Sequence, residues 1–353
     1  MLGDSFHRDG GGDMVEQARA SEDRFITYIE SLAQVLDHVD RAGPLKDYCT
    51  GLLLPFERKS VEPMAAAMAP SRASAEHQSL LHFVGQSAWS DEDMLARVRE
   101  LVAPSIETQG RIEAWIVDDT GFVKKGAHSV GVARQYCGRL GKTDNCQIAV
   151  SLSIANHAAS LPIAYRLYLP EEWADDTARR RKVHVPDAVQ FQTKPEIALA
   201  QIKAALAAGV APGVVLTDPA YGSDGAFRAG VTALGLTYAV GVQSTLSVWP
   251  PGQEPLPPKP WSGRGRKPSR VRRDADHRPV SAKAGDVASA GGLARSVLAR
   301  GLQPNPDLSL RRRAGSAGLA RLETRGPASA RMVADRMARG RARADQILAL
   351  DPA

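Results

Sequence analysis

The chain has 353 residues, 43% of them hydrophobic, so it can bury a sizeable core and form two or three domains. Lys and Arg outnumber Asp and Glu by 45 to 39; the net charge of +6 permits, without requiring, a polyanionic partner. The three cysteines lack paired spacing, which argues against a disulfide or zinc framework. No apolar run reaches about 18 residues, which argues against a membrane span. Both observations favour a cytoplasmic protein.

The N-terminal part of the chain has the pattern of a helical domain. Residues 1–20 are polar and glycine-rich, which predicts a disordered lead-in. From Phe25 onward apolar residues recur at steps of three and four, and Ser90, with Asp93 three residues later, has the pattern of a helix N-cap. We therefore expect residues 21–108 to form a helical domain, either an ordinary bundle or a DNA-binding unit.

Two acid-tipped strands follow. Ala114–Val117 has the β-branched, apolar character of a buried strand and leads directly to Asp118 and Asp119. A similar pattern recurs about a hundred residues later, where Val214–Thr217 leads to Asp218. Two such strands can place carboxylates side by side on one sheet, and carboxylates are the ligands of a divalent-metal nuclease site. A strand-to-turn junction is the alternative for these acids.

The order of the elements between residues 109 and 248 predicts a fold. Three strands come first, then helix, strand, helix and strand. After the first acid-tipped strand, the predicted strands are Cys146–Ala155, Leu161–Leu169, Val214–Thr217 and Thr237–Val242, and the predicted helices are Lys194–Ala208 and Asp224–Leu234. Antiparallel strands followed by parallel αβ units give an α/β mixed sheet with helices on its faces. This is the order of a ribonuclease-H-like core, in which acids on the first strand and after the fourth strand meet.

The C-terminal third has a different composition. Residues 249–285 begin with a proline-rich stretch that predicts a linker. After Trp261 there is no further aromatic residue, and 18 of the following residues are arginine. Residues 286–353 are therefore expected to form a low-complexity, disordered basic tail. GC-rich DNA translated out of frame would give the same composition, and DNA binding by the tail is an alternative.

Several long motifs resemble a bacterial insertion-sequence transposase of the DDE superfamily. They are Trp115–Gly121, Gly126–Gly138, Leu167–Trp173 and Thr217–Gly222. The nearest group is the insertion sequence 701 family, related to the insertion sequence 4 class, and the likeness runs from about Phe25 to about Val280. The resemblance implies that residues 249–285 also contain the start of a truncated insertion. It implies a homodimer on double-stranded DNA that cleaves and transfers strands at terminal inverted repeats with Mg²⁺ or Mn²⁺, associated with the nucleoid when bound to DNA.

The resemblance assigns catalytic acids residue by residue. The first maps to the Asp118–Asp119 pair. Asp119 is favoured because it directly precedes Thr, and Asp118, one residue earlier, is the alternative. The second maps to Asp218. The third should follow Tyr and Arg on a late helix, and none of the late acids, Glu323, Asp335 and Asp345, has those neighbours. We therefore expect impaired catalysis, or a non-catalytic DNA-binding remnant that inhibits intact transposase.

Candidate DNA contacts lie near these acids. Phosphate-binding candidates are Lys124, Lys125, Arg134 and Arg139, although each could equally be a solvated surface residue. Tyr221 could stack on DNA or pack beneath its loop.

Overall fold

A computed structural model describes residues 10–57, 59–249 and 255–282, together with the backbone of two short strands farther on. The chain divides into two compact units, with the boundary between Ser105 and Ile106. In the part of the chain that is described, no helix is long and apolar enough to cross a membrane.

The first unit is helical, as expected. Its helices are α1 (Gly10–Ala33), α2 (Ala42–Leu53), α3 (Val61–Met68), α4 (Ala73–Gly85) and α5 (Asp91–Glu107), the last of which crosses the unit boundary. Ser90 caps α5, because its hydroxyl accepts the amide N–H of Asp93 at 3.0 Å. The expected disordered lead-in is wrong for residues 10–20, since α1 begins at Gly10. The strong helix formers Met14, Glu16, Gln17 and Ala18 favour α1 despite the poor helix propensity of the glycines. Residues 1–9 lie outside the described part.

Two apolar clusters hold these helices together. The larger joins α1, α2 and α4 and consists of Ile29, Leu32, Leu36, Leu45 and Phe83. The ring of Phe83 also stacks on Trp89, with ring centroids 5.9 Å apart. The smaller cluster joins α3 and α4 through Met64, Ala65 and Leu80. Both clusters are built from residues of the first unit, which gives that unit a core of its own.

The second unit contains a six-stranded mixed sheet. Its strands are β1 (Ala114–Val123), β2 (Ala133–Cys137), β3 (Lys142–Ala155), β4 (Ser160–Leu167), β5 (Val214–Thr217) and β6 (Tyr238–Val240). β3 pairs with β2 and β4 on one side and with β1 on the other, all antiparallel. β5 is parallel to β1, and β6 is parallel to β5. This arrangement confirms the ribonuclease-H-like mixed sheet.

Helices pack on the apolar face of this sheet. The connections contain α6 (Glu171–Asp175), α7 (Thr177–Lys182), α8 (Lys194–Ala207), α9 (Pro219–Gly222) and α10 (Gly225–Ala233). Along β3 every second residue from Cys146 to Ile154 is fully buried, as strand alternation predicts. α8 lies on this face, where its Gln201 donates to the carbonyl of Val150 at 3.0 Å. Thr193 and Glu196 form a capping box that fixes where α8 begins.

The structure differs from the sequence-based expectations in three places of this unit. β1 continues to Val123, so the Asp118–Asp119 pair lies within a strand and not at its end. The hairpin strand β2 was not anticipated, because its residues (Ala-Arg-Gln-Tyr-Cys) show no run of apolar side chains. The charged segment between β4 and α8, for which the sequence indicated no element, contains α6 and α7.

The described part of residues 249–285 contains strand pairing that a linker would not require. β7 (Ser247–Val248) pairs antiparallel with β8 (Val280–Ser281), and Leu256 forms a bridge with Arg272 between them. We call residues 255–282 the basic excursion. In the expected tail, β9 (Leu310–Arg313) pairs antiparallel with β10 (Arg321–Thr324), two strands that the sequence did not indicate. The expected disorder of the rest of the tail falls outside the described residues.

Candidate functional site

The sheet register places the sequence-predicted acids at one end of the parallel strands. β1 and β5 run parallel, and their pairing extends to Ile116 beside Leu216. β5 ends one residue later, so Asp218 follows directly, while β1 continues past this point through Asp118 and Asp119. The three acids therefore lie where the parallel part of the sheet ends. In open α/β sheets this is the edge at which ligands bind.

Strand alternation separates the two neighbouring acids of β1. Asp119 has the same parity as the buried Trp115 and Val117, so its side chain lies on the face that α8 covers. Asp118 lies on the opposite face, and its carboxylate accepts the amide N–H of Asp119 at 2.8 Å. Its carbonyl also accepts the hydroxyl of Ser151 at 3.3 Å. Of the pair, the geometry favours Asp119 as the partner of Asp218.

Asp119 forms an ion pair that the sequence did not reveal. The ammonium nitrogen of Lys194, the first residue of α8, lies 2.8 Å from Oδ2 of Asp119. Both side chains are largely shielded, with 26% of Lys194 and 19% of Asp119 exposed. A weak signal was present in the sequence, because a lysine in the first turn of a helix opposes the helix dipole and is stabilised by a nearby anion. Its partner, 75 residues away, could not be read from spacing.

Asp218 has a structural role as well as its place in the site. It is the N-cap of α9, and its Oδ1 accepts the amide N–H of Ala220 at 2.9 Å. The turn that follows packs closely on the end of β6, since a Cβ atom at Gly222 would collide with the carbonyl oxygen of Gly241. This contact fixes the position of α9 against the sheet and so orients Asp218.

Tyr221 lies beneath the acids. Its side chain is 1% exposed, and its ring packs against Phe227 with centroids 6.2 Å apart. Burial is the main reason that the pKa of Tyr221 is raised, and the negative charges of Asp119 and then Asp218 raise the pKa further. Asp119, Asp218 and, more weakly, Asp118 are therefore all near enough to the Tyr221 hydroxyl for their charges to act on it. Of the two alternatives for Tyr221, burial favours packing beneath the loop, because the ring is not accessible for stacking on DNA.

No third carboxylate joins the pair in the described residues. Within 10–57, 59–249 and 255–282, no group of three or more histidine, cysteine or acidic side chains is placed to hold a metal ion. Of the late acids, Glu323 lies on β10, whose backbone alone is described. Asp335 and Asp345 fall outside the described residues.

The predicted phosphate contacts lie beyond the acids at the same end of the sheet. Lys124 and Lys125 follow β1, Arg134 lies on β2, and Arg139 lies in the turn between β2 and β3. Lys125, Arg134 and Arg139 are exposed, and Lys124 is half-buried. The loop after β1 and the hairpin of β2 and β3 therefore place these four cations beyond the acid-bearing end of the parallel strands.

The loop after β1 is held in place by side chains from neighbouring elements. The amide of Asn145 donates to the carbonyls of Lys124 at 2.6 Å and Gly126 at 2.9 Å. Arg179 donates to the carbonyl of Ala127 at 2.6 Å, and its guanidinium lies 3.5 Å from the centre of the Trp173 ring. These contacts order the loop that carries the two lysines.

A ribonuclease-H-like sheet with one acid on its first strand and another after β5 defines the class of the DDE nucleases and recombinases. The family model described as "DDE superfamily endonuclease" matches residues 31–303, more than half of the chain. The chain belongs to this family.

Within this family, the chain is similar to a transposase of an insertion sequence. Over 168 residues, 47% of this chain, the sequence is 34% identical to a "Probable transposase for insertion sequence element IS701" of Microchaete diplosiphon. The aligned part is 41% of that protein, so the chain spans about two fifths of the length of the curated relative it matches.

Proposed function

We propose that this chain is a DDE-type transposase that cleaves and transfers DNA strands at the terminal inverted repeats of an insertion sequence. The observation that carries the proposal is the position of Asp119 and Asp218 at the same end of the parallel strands, where the charges of both acids raise the pKa of the buried Tyr221. Family membership supports a nuclease, and the similarity to an insertion-sequence transposase supports transposition. We assign the catalytic role on β1 to Asp119 and keep Asp118 as the alternative.

The residues present fit one divalent cation. Carboxylate oxygens are the donors that Mg²⁺ and Mn²⁺ prefer, and Asp119 already accepts a cationic group, the ammonium of Lys194, at 2.8 Å. When bound, the ion would polarise the phosphate and activate the attacking hydroxyl. Asp119 and Asp218 would hold and orient it, and Tyr221 would stay protonated beneath them because burial and both acids oppose its ionisation.

The charge distribution supports a DNA partner. The basic excursion contains eight exposed cations against two carboxylates; the cations are Lys259, Arg264, Arg266, Lys267, Arg270, Arg272, Arg273 and Arg278, and the acids are Asp274 and Asp276. Together with the cations near the β2–β3 hairpin, they supply the charge that phosphate binding requires. We assign residues 21–108 to end binding and 109–248 to catalysis, in a homodimer on nucleoid DNA in the cytoplasm.

A second candidate function rests on the number of carboxylates. Two acids hold one metal ion more readily than the two ions that favour in-line phosphoryl transfer. With no third acid beside Asp119 and Asp218 in the described residues, the chain would bind inverted repeats without cutting them. In mixed dimers, such a remnant would inhibit intact transposase.

A nicking assay separates these functions. Labelled duplexes from the DNA that borders this gene are incubated with the full chain and Mg²⁺ or Mn²⁺, beside scrambled duplexes. Metal-dependent nicks that disappear in both Asp119→Asn and Asp218→Asn would support the enzyme. Loss in Asp118→Asn with activity kept in Asp119→Asn would instead assign Asp118. Selective binding without nicks would support the remnant, and neither binding preference nor nicks would overturn both.

A further inference from the structure

We propose that Lys194 is a resident counter-ion of the catalytic site, which holds Asp119 until a divalent metal ion displaces its ammonium group. This inference rests on the proposed metal-binding role of Asp119. It adds a residue that acts on the metal through its carboxylate ligand, so Lys194 is a positioning residue.

The first support is the local geometry. The ammonium nitrogen of Lys194 lies 2.8 Å from Oδ2 of Asp119, a distance typical of a charge-assisted hydrogen bond. The pair is about three-quarters shielded from solvent, so it is screened less than a surface ion pair. A metal ion that binds the same oxygen must therefore compete with an ammonium group already on it.

The second support is the position of Lys194 in its helix. The capping box of Thr193 and Glu196 fixes Lys194 at the first position of α8, where the positive end of the helix dipole disfavours a cation. The ring of Tyr168, 5.8 Å from the ammonium nitrogen, adds a weak attraction. At this unfavourable helix position, Asp119 and Glu196 of the same turn both offset the charge of Lys194, and Asp119 is the acid that contacts its ammonium group.

The third support is what the ion pair does for the acids. Without a metal ion, Asp119 and Asp218 would place two negative charges around the buried Tyr221. The ammonium of Lys194 neutralises one of them and keeps Asp119 in one orientation on the α8 face. A metal ion brings its own positive charge, so the ammonium is no longer required there and is released towards solvent.

Metal affinity gives a test with a matched control. Mn²⁺ is titrated calorimetrically into the metal-free full chain and into Lys194→Gln, Lys194→Arg and Lys203→Gln. Lys203 is exposed on the same helix, so its variant removes the same charge away from the site. We expect Lys194→Gln to bind Mn²⁺ about tenfold more tightly than wild type, a factor in the range of a partly shielded ion pair. Lys194→Arg and Lys203→Gln should stay within about twofold.

Thermal unfolding distinguishes this role from simple structural support. Lys194→Gln should lower the melting temperature of the metal-free protein, because Asp119 loses its counter-ion, but not that of the Mn²⁺-saturated protein. A merely structural lysine would lower both. Unchanged or weaker Mn²⁺ binding by Lys194→Gln would overturn the inference.

Wild-type protein provides a measurement that does not depend on a variant folding. Acetylation of Lys194 and Lys203 is followed by mass spectrometry with and without Mn²⁺. Release of the ammonium predicts faster labelling of Lys194 with Mn²⁺ and no change at Lys203, and equal or slower labelling of Lys194 would contradict it. If neither wild type nor any Lys194 variant binds Mn²⁺, the proposed metal site itself fails. If wild type binds Mn²⁺ through Asp119 and Lys194→Gln changes nothing, this inference alone fails.

Discussion

Position 121, the last of the Asp118–Gly121 motif, is a glycine because its backbone lies close to the buried thiol of Cys137. A Cβ atom at Gly121 would lie 2.6 Å from Sγ of Cys137, closer than any ordinary carbon–sulfur contact. The glycine therefore lets the β2–β3 hairpin pack against β1 two residues after Asp119. Within this motif, Asp118 lies on the sheet face opposite α8, Asp119 lies in the candidate site, and Gly121 allows the hairpin to pack against β1.

Substitution of Gly121 tests this packing. Gly121→Ala should lower the free energy of unfolding by about 1–3 kcal/mol, because the core at Cys137 has no space for a methyl group. Gly126→Ala, which would meet no atom within 4 Å, serves as the control and should change stability by less than about 0.5 kcal/mol. Urea unfolding measures both. In a Cys137→Ala background the cost of Gly121→Ala should fall, and an additive double mutant would show that Sγ is not the obstacle.

The buried thiol of Cys146 predicts a loss of stability at alkaline pH. Burial, and then the neighbouring Cys137, raise the pKa of Cys146 to about 11 from an ordinary value of 9.0. Between these values the unfolded chain loses the proton and the folded chain keeps it, so the free energy of unfolding falls as pH rises. Below the ordinary pKa of 9.0, the protonated Cys146 thiol makes its full contribution to the free energy of unfolding.

Urea unfolding under reducing conditions, at about pH 8 and about pH 10.5, measures this dependence. Cys146→Ala should lose less stability between the two pH values than wild type, whatever its stability at the lower one. Equal losses would show that the thiol does not contribute.

At the scale of elements, the sequence predicted those helices and strands that local patterns of apolar and capping residues specify. The alternation from Cys146 to Ile154 and the capping signal at Ser90 correspond to real elements, because burial of one face and satisfaction of helix-end amides are local requirements. β2 was missed because its pairing with β3 depends on the partner strand. The basic excursion was interpreted as a linker because prolines hid its pairing between Leu256 and Arg272.

The basic excursion should contribute to DNA affinity through charge alone. Replacing Arg264, Arg266, Lys267 and Arg270 by Gln should weaken binding to any duplex. It should also reduce the slope of log affinity against log salt by up to about 0.9 for each phosphate that is no longer neutralised. Fluorescence anisotropy at several salt concentrations measures both quantities. The matched control replaces the three arginines by lysine, which keeps the charge and should keep the slope. An unchanged slope in the Gln variant would exclude the excursion from the interface.

At the scale of the whole molecule, the sequence predicted the mixed sheet and the sheet end at which Asp119 and Asp218 lie, but neither β2 nor the contacts among distant residues. Asp119 and Asp218 could be paired because the order of strands and helices fixes which strand ends meet. The ion pair of Lys194 with Asp119 and the burial of Tyr221 could not, since both depend on how α8 and α9 pack on the sheet.

Because the first unit has apolar clusters made of its own residues, damage to its core should leave the carboxylate site intact. Phe83 is 3% exposed and stacks on Trp89, so Phe83→Ala should destabilise the first unit by about 3–5 kcal/mol. Calorimetry of the full chain should show one transition moved to lower temperature and a second one unchanged. Mn²⁺ binding that depends on Asp119 should also persist. A single transition that moves as a whole, with loss of Mn²⁺ binding, would instead show that both units unfold together, and the helical unit would then be a structural part of the nuclease core and not a separate DNA-binding domain.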